Sequence, residues 1–214
     1  GLFLNPKVME NIRFNDVLIN QLKIENPNVN PRDPTLDELR YFHGISSSDR
    51  IVICDNNKLI ANPFTNQTET TRLETLFAYI TSCPQLCVSG GYMVLQYYGK
   101  DVSQYPNSNL DIYVLKNDDL SNTVRELMGF IDDCFKIDTI SAFDIQYSQK
   151  ASVYNVKCKN LHRTLRIHCT TYKTLSELMN NFDSSYCKVG FYMGNTYVTP
   201  DTQYTKETGL VYFY

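Results

Sequence analysis

Residues 86–115 read LCVSGGYMVLQYYGKDVSQYPNSNLDIYVL, and this stretch decides the fold. An apolar run, Leu86-Cys87-Val88, ends at Ser89-Gly90-Gly91. A helix-compatible segment follows, and then a second apolar run carries one carboxylate, Asp111. Strand alternation sends Leu110, Ile112 and Val114 toward a core and puts Asn109, Asp111 and Tyr113 on the opposite face, toward the glycine turn. An acid set into an apolar strand is costly to bury unless it is paired or bound to a metal. Backbone amides left unpaired where a helix begins, at Ser89, Gly90 and Gly91, suit an anion. Strand, glycine turn, helix and acidic strand is thus the layout of a site that holds a phosphate and a metal. The plainer alternative is a tight turn beside a solvent-facing acid on an edge strand.

Working outward, the apolar pattern supplies the remaining elements. Residues 1–35, with Pro27, Pro31 and Pro34, read as an extended arm after a short helix near residues 8–22. Thr35-Leu-Asp-Glu38 has the spacing of a capping box and opens a helix through Phe42, ended by Gly44. Residues 51–54 and 58–61 flank Asp55-Asn-Asn57 as a hairpin. Residues 68–82 carry Leu73, Leu76, Phe77 and Ile80 at helical spacing, stopped at Pro84. A second helix over 119–135 aligns Leu120, Val124, Leu127, Met128 and Ile131. Strands are expected over 142–148, 152–157 and 165–170, a helix over 174–181, and a hairpin of 188–191 with 196–199 around Met193-Gly-Asn195. The sum is α+β: a mixed or antiparallel sheet flanked by helices, with an N-terminal extension over 1–65 and a core over 66–214.

Composition narrows the class. With 43% hydrophobic residues among 214 the chain buries a core, so wholesale disorder is excluded. A net charge of −3 argues against a protein that coats nucleic acid electrostatically. No apolar run approaches the roughly 18 residues of a membrane span, and the start lacks a signal-peptide pattern. Gly1 reads as a cloning remnant, a processed end or the start of an excised fragment, and the abrupt C-terminal Leu-Val-Tyr-Phe-Tyr favours a piece of something longer. Seven cysteines, scattered singly, read as reduced thiols in an intracellular setting. Cys83 and Cys87 with Cys158 and His162 have the types but not the knuckle context of a zinc tetrad. Cysteine–histidine nucleophile pairs (Cys169 with His168, Cys187 with His162) lack a supporting signature. Lys157, Lys159, His162, Arg163 and Arg166 form the densest basic cluster. Beside Tyr154 and Tyr172 it reads either as a groove for triphosphate or single-stranded RNA or as a solvated turn.

Ser89-Gly90-Gly91 followed by Asn109-Leu-Asp111-Ile-Tyr113 resembles the nucleotidyltransferase fold, the DNA polymerase β-like superfamily. Downstream, Leu165-Arg-Ile-His-Cys-Thr170, Asn181-Phe-Asp183, Cys187-Lys-Val-Gly190 and Tyr197-Val-Thr-Pro200 are similar to a branch of uncharacterised nucleotidyltransferase-like proteins of large DNA viruses and fungi. The resemblance covers roughly residues 80–210. It implies two acids on the second strand and a third on a neighbouring strand, holding two Mg²⁺ or Mn²⁺ ions that bridge a nucleotide triphosphate. By position Gly90 and Gly91 match the phosphate turn and Asp111 the second acid and metal ligand, while Asn109 stands where the first acid belongs. The expected third strand offers Arg166 and His168, poor substitutes for a carboxylate near Mg²⁺. Asp144 is the candidate third acid from an adjacent strand.

The resemblance therefore implies a kept fold and an eroded catalytic set. That describes a pseudoenzyme serving as a nucleotide- or RNA-binding or protein-interaction module, without a membrane span, in the cytoplasm (the host cell's, if the protein is viral). Two alternatives stand beside it: an active metal-dependent transferase using Asp111, Asp144 and Asn109, and a structural α+β domain that binds a partner.

Overall fold

Alternation in the acidic strand places its neighbours. In the computed structural model, which describes residues 12–14, 35–38, 40, 51–54, 67–145 and 151–212, Leu110, Ile112 and Val114 are fully buried while Asp111 and Tyr113 face the other way, half-buried. The elements in chain order are β1 (Ile12–Phe14), β2 (Val52–Ile53), α1 (Gln67–Thr81), β3 (Leu86–Ser89), α2 (Gly91–Tyr97), β4 (Leu110–Val114), α3 (Leu120–Phe135), β5 (Ile137–Ile145), β6 (Ala151–Cys158), β7 (Leu161–Cys169), α4 (Leu175–Asn180), β8 (Val189–Tyr192), β9 (Asn195–Val198), α5 (Pro200–Thr208) and β10 (Leu210–Tyr212).

Among the described residues one sheet runs β2-β9-β8-β3-β4-β7-β6-β5 and a small one pairs β1 with β10. Every neighbouring pair is antiparallel except β4 with β7, so the sheet is mixed. The parallel pair sets Asp111 opposite Arg166 and Tyr113 opposite His168.

One face of this sheet carries the core. Val88, Ile112, Leu165 and Ile167 pack under Leu73, Phe77 and Ile80 of α1, Tyr92 and Met93 of α2, and Leu127, Ile131 and Phe135 of α3. Tyr79 of α1 stacks on Phe130 of α3 at 4.2 Å, fixing the two helices side by side. The second face is covered by α4, whose Leu175, Leu178 and Met179 pack on Cys87 and Leu115. Gly190 on β8 admits that helix closely, since a Cβ there would stand 2.6 Å from Leu175 Cδ1.

The helices expected over 68–82, 119–135 and 174–181 are present, and the 188–199 hairpin turns at Met193 and Gly194, both at positive φ. The Thr35–Glu38 capping box forms: Glu38 N–H donates to Thr35 Oγ1 at 3.2 Å and Thr35 N–H to Glu38 Oε1 at 3.0 Å. Its proposed end at Gly44 lies outside the described residues.

Two expectations change, one in kind and one in bounds. Residues 12–14, read as part of a helix, form β1 and pair with β10, because a strand partner nearly the whole chain away overrides local preference. Of the hairpin expected over 51–61, Val52–Ile53 forms β2 and pairs with β9, while the turn and the second strand lie outside the described residues. The strand expected over 142–148 begins at Ile137 instead, one residue after α3 turns at Lys136 (φ 59°).

Candidate site at the diglycine turn

Gly90 ends β3 with φ 85° and ψ −165°, a conformation confined almost entirely to glycine. Its missing Cβ is needed twice over, because an atom there would lie 2.8 Å from Asp111 Oδ2. The carboxylate thus sits directly against the turn, as antiparallel pairing of Ser89 with Asp111 requires. Gly91 next to it is exposed, with Ser108 Oγ 3.6 Å from where its Cβ would be.

The partner of the acid is an imidazole. His168 Nε2 lies 2.7 Å from Asp111 Oδ1, and the two side chains are 12% and 14% exposed. Tyr113 stacks on the His168 ring at 4.3 Å, and Phe182 meets Tyr113 edge-on at 6.4 Å, so the imidazole is held by its face as well as its edge. Burial, and then the Asp111 carboxylate, push the Tyr113 phenol far above its ordinary value, while Arg166 pulls it the other way.

Of the other expected residues, Asn109 is half-buried just before β4 and Arg166 is half-buried on the same sheet face as His168. Ser89 is fully buried, and its hydroxyl donates to the Val189 carbonyl at 2.5 Å, tying β3 to β8 rather than facing a ligand. Asp144 does not come from a strand adjacent to Asp111. It lies on β5, which pairs with β6, so β7 and β6 both intervene. Three strand spacings amount to about 14 Å, beyond the reach of two carboxylates on one ion.

The donor set is a poor match for a pair of divalent ions. One Asp111 oxygen is bonded to His168 and the other abuts Gly90, while Asn109 offers at most a neutral amide oxygen. Among the described residues no three His, Cys, Asp or Glu side chains are grouped to hold an ion. Two hard divalent cations side by side call for oxygen ligands from more than one carboxylate, and an imidazole beside the single carboxylate does not supply them. The zinc tetrad is not assembled either: among the described residues Cys83, Cys87, Cys158 and His162 do not gather as ligands, and Cys87 lies buried within β3.

The basic cluster divides between the two faces of the sheet. Arg163 alternates with Leu161, Leu165 and Ile167 on the inward side of β7 and is 3% exposed. It donates to the carbonyls of Val102 (3.1 Å), Tyr105 (3.1 Å) and Ser108 (2.6 Å), with its guanidinium 5.1 Å from the Tyr92 ring. Its task is to hold the loop that delivers Asn109 and Asp111. That inward register was readable from the i, i+2, i+4 spacing with Leu165 and Ile167; the carbonyl partners were not. Lys157, Lys159 and His162 remain exposed.

A second unforeseen pair, Lys188 and Asp201, lies 3.3 Å apart with both side chains almost fully buried. It joins the start of β8 to the first turn of α5, where a carboxylate also suits the helix dipole. No protein-family description matches this chain, and no curated protein matches it in sequence.

Proposed function

We propose that this is a nucleotidyltransferase-like domain that no longer transfers nucleotides and instead binds the phosphate end of a nucleotide without a metal. The observation that carries this reading is the 2.7 Å contact between His168 and Asp111, set against Gly90. Where ion-dependent transfer needs converging carboxylates, the acid here is spent on a nitrogen base, and Asn109 adds no charge. The antiparallel pairing of β3 with β4 and the parallel pairing of β4 with β7 are in keeping with such a core.

Phosphate recognition falls to the exposed Gly91 backbone, the Ser108 hydroxyl, the Asn109 amide and the Arg166 guanidinium. Arginine matches phosphate oxygens in a fixed fork, which is the geometry a metal-free site requires.

The test is calorimetry or thermal shift with ATP, GTP, CTP and UTP, with and without Mg²⁺ or Mn²⁺. Saturable binding that is indifferent to the cation and weakened about tenfold or more by Arg166→Ala is expected. Transfer of labelled nucleotide to RNA, protein or a small acceptor, abolished by Asp111→Ala, would show an active transferase. Absence of binding by any nucleotide leaves the structural, partner-binding reading.

A further inference from the structure

The sheet also carries a cleft, and Asp111 is not among the residues that line it. A cleft of about 1000 Å³ opens where β4 and β7 end, lined by Lys116, Ser121, Val124, Tyr154, Cys169 and Tyr172 among others. These strands are the parallel pair of the large sheet, so their exit loops leave side by side at one edge. The crevice beyond the carboxyl ends of parallel strands is where open sheets that carry helices characteristically take ligands. The volume is at the upper end of the range for small-molecule sites.

The walls are pre-formed. Lys116 N–H donates to the Tyr172 carbonyl at 2.8 Å, crossing from one exit loop to the other. Thr170 reinforces the crossing: its N–H donates to the Val114 carbonyl at 3.0 Å, and its hydroxyl to the same carbonyl at 3.3 Å and to that of Tyr172 at 3.2 Å. Tyr154 stands on β6 opposite Ile167, with its flank on the core. Cys169 lies at the end of β7 opposite Ser152, and burial raises its thiol above the ordinary range. Val124 on α3 closes the remaining side.

The lining has one cation, two phenol rings, several hydroxyls and an apolar floor. Lys116 is exposed at the rim. The neighbouring Asp119 carboxylate is engaged at 3.2 Å by Asn122, away from the cleft lining. We infer that this cleft binds a small aromatic molecule bearing a single anionic group, with the ring against Tyr154 and Tyr172 and the anion on Lys116. A nucleoside monophosphate has both parts. This site is independent of the diglycine turn, and the inference stands whether or not nucleotide binds there.

The test is Cys169 alkylation by iodoacetamide, followed by peptide mass spectrometry, which reads this thiol separately from the other cysteines. Probes are AMP, phenyl phosphate, adenosine and inorganic phosphate. AMP and phenyl phosphate are expected to protect Cys169 saturably, with adenosine and inorganic phosphate at least about tenfold weaker. Lys116→Ala should remove the advantage of the charged probes without changing adenosine, and Asp111→Ala should change nothing. A bulky Val124→Trp should abolish protection. Should that variant unfold, Ser121→Tyr offers a rim substitution with the same expected loss. Equal protection by phosphate alone, protection by AMP but not phenyl phosphate that vanishes in Asp111→Ala, or no protection by any probe at millimolar concentration would each overturn the inference.

Discussion

At Gly90 backbone and side-chain constraints coincide. A side chain there meets both a left-sided φ of 85° and the Asp111 carboxylate at 2.8 Å. Gly90→Ala is expected to cost about 1–3 kcal/mol in urea denaturation. Adding Asp111→Ala to it should cost less than the sum of the two single changes, because the clash disappears with the carboxylate. Strict additivity would mean that the two residues do not touch. Arg163 is the second sensitive residue. Replacing it by Met leaves three carbonyls of the 102–108 loop without their donor. A loss of about 2–4 kcal/mol is expected, together with faster proteolysis within that loop. Unchanged cleavage there would separate the arginine from the placement of Asn109.

Among elements, α5 shows how a buried helix escapes a hydropathy reading. Its inward residues are Asp201, Thr202 and Thr205, polar in sequence yet almost fully buried. They are satisfied internally: Thr205 with Ser185 at 2.7 Å, Thr202 with Thr199 at 3.0 Å, and Asp201 with Lys188. Periodicity of apolar residues has nothing to report in such a helix, and the buried ion pair is equally silent. The strand–turn–helix–strand unit around Gly90 was legible because its alternation is apolar and local. The shared face of Arg166 and His168 was legible too, while the pairing of His168 with Asp111 required knowing that β7 lies parallel to β4. Strand adjacency is not local, so nothing in the sequence shows that β7 and β6 separate Asp144 from Asp111. Lys188→Met should destabilise by about 3–5 kcal/mol, since it strands a buried carboxylate. Lys188→Met with Asp201→Leu should recover most of that loss. Failure of the double variant to improve on the single one would put the importance of Lys188 outside this pair.

At the scale of the whole molecule, thiols and phenols whose pKa burial raises predict a loss of stability at alkaline pH. Burial, then Asp132, pushes Cys158 up to about 11 from 9.0. Burial likewise raises Cys87, Tyr98 and Tyr113. Each group binds its proton more tightly when folded, so its contribution is complete below the unfolded value. For Cys158 that contribution falls away between 9.0 and about 11. Unfolding free energy measured in urea across that interval should decline steadily with pH. A flat profile would show that these side chains open to water without unfolding.

The parallel junction has a consequence for how the chain acquires its native state. β5, β6 and β7 form a meander of sequence neighbours, which assembles through short-range contacts. Asp111 and His168 are 57 residues apart, and they meet only when that meander swings back against β4. Closing so long a loop is entropically late. A ribosome-bound chain that has not yet released residue 168 holds a carboxylate with no base beside it, so the pair at the diglycine bend forms only once β3 through β7 have been synthesised.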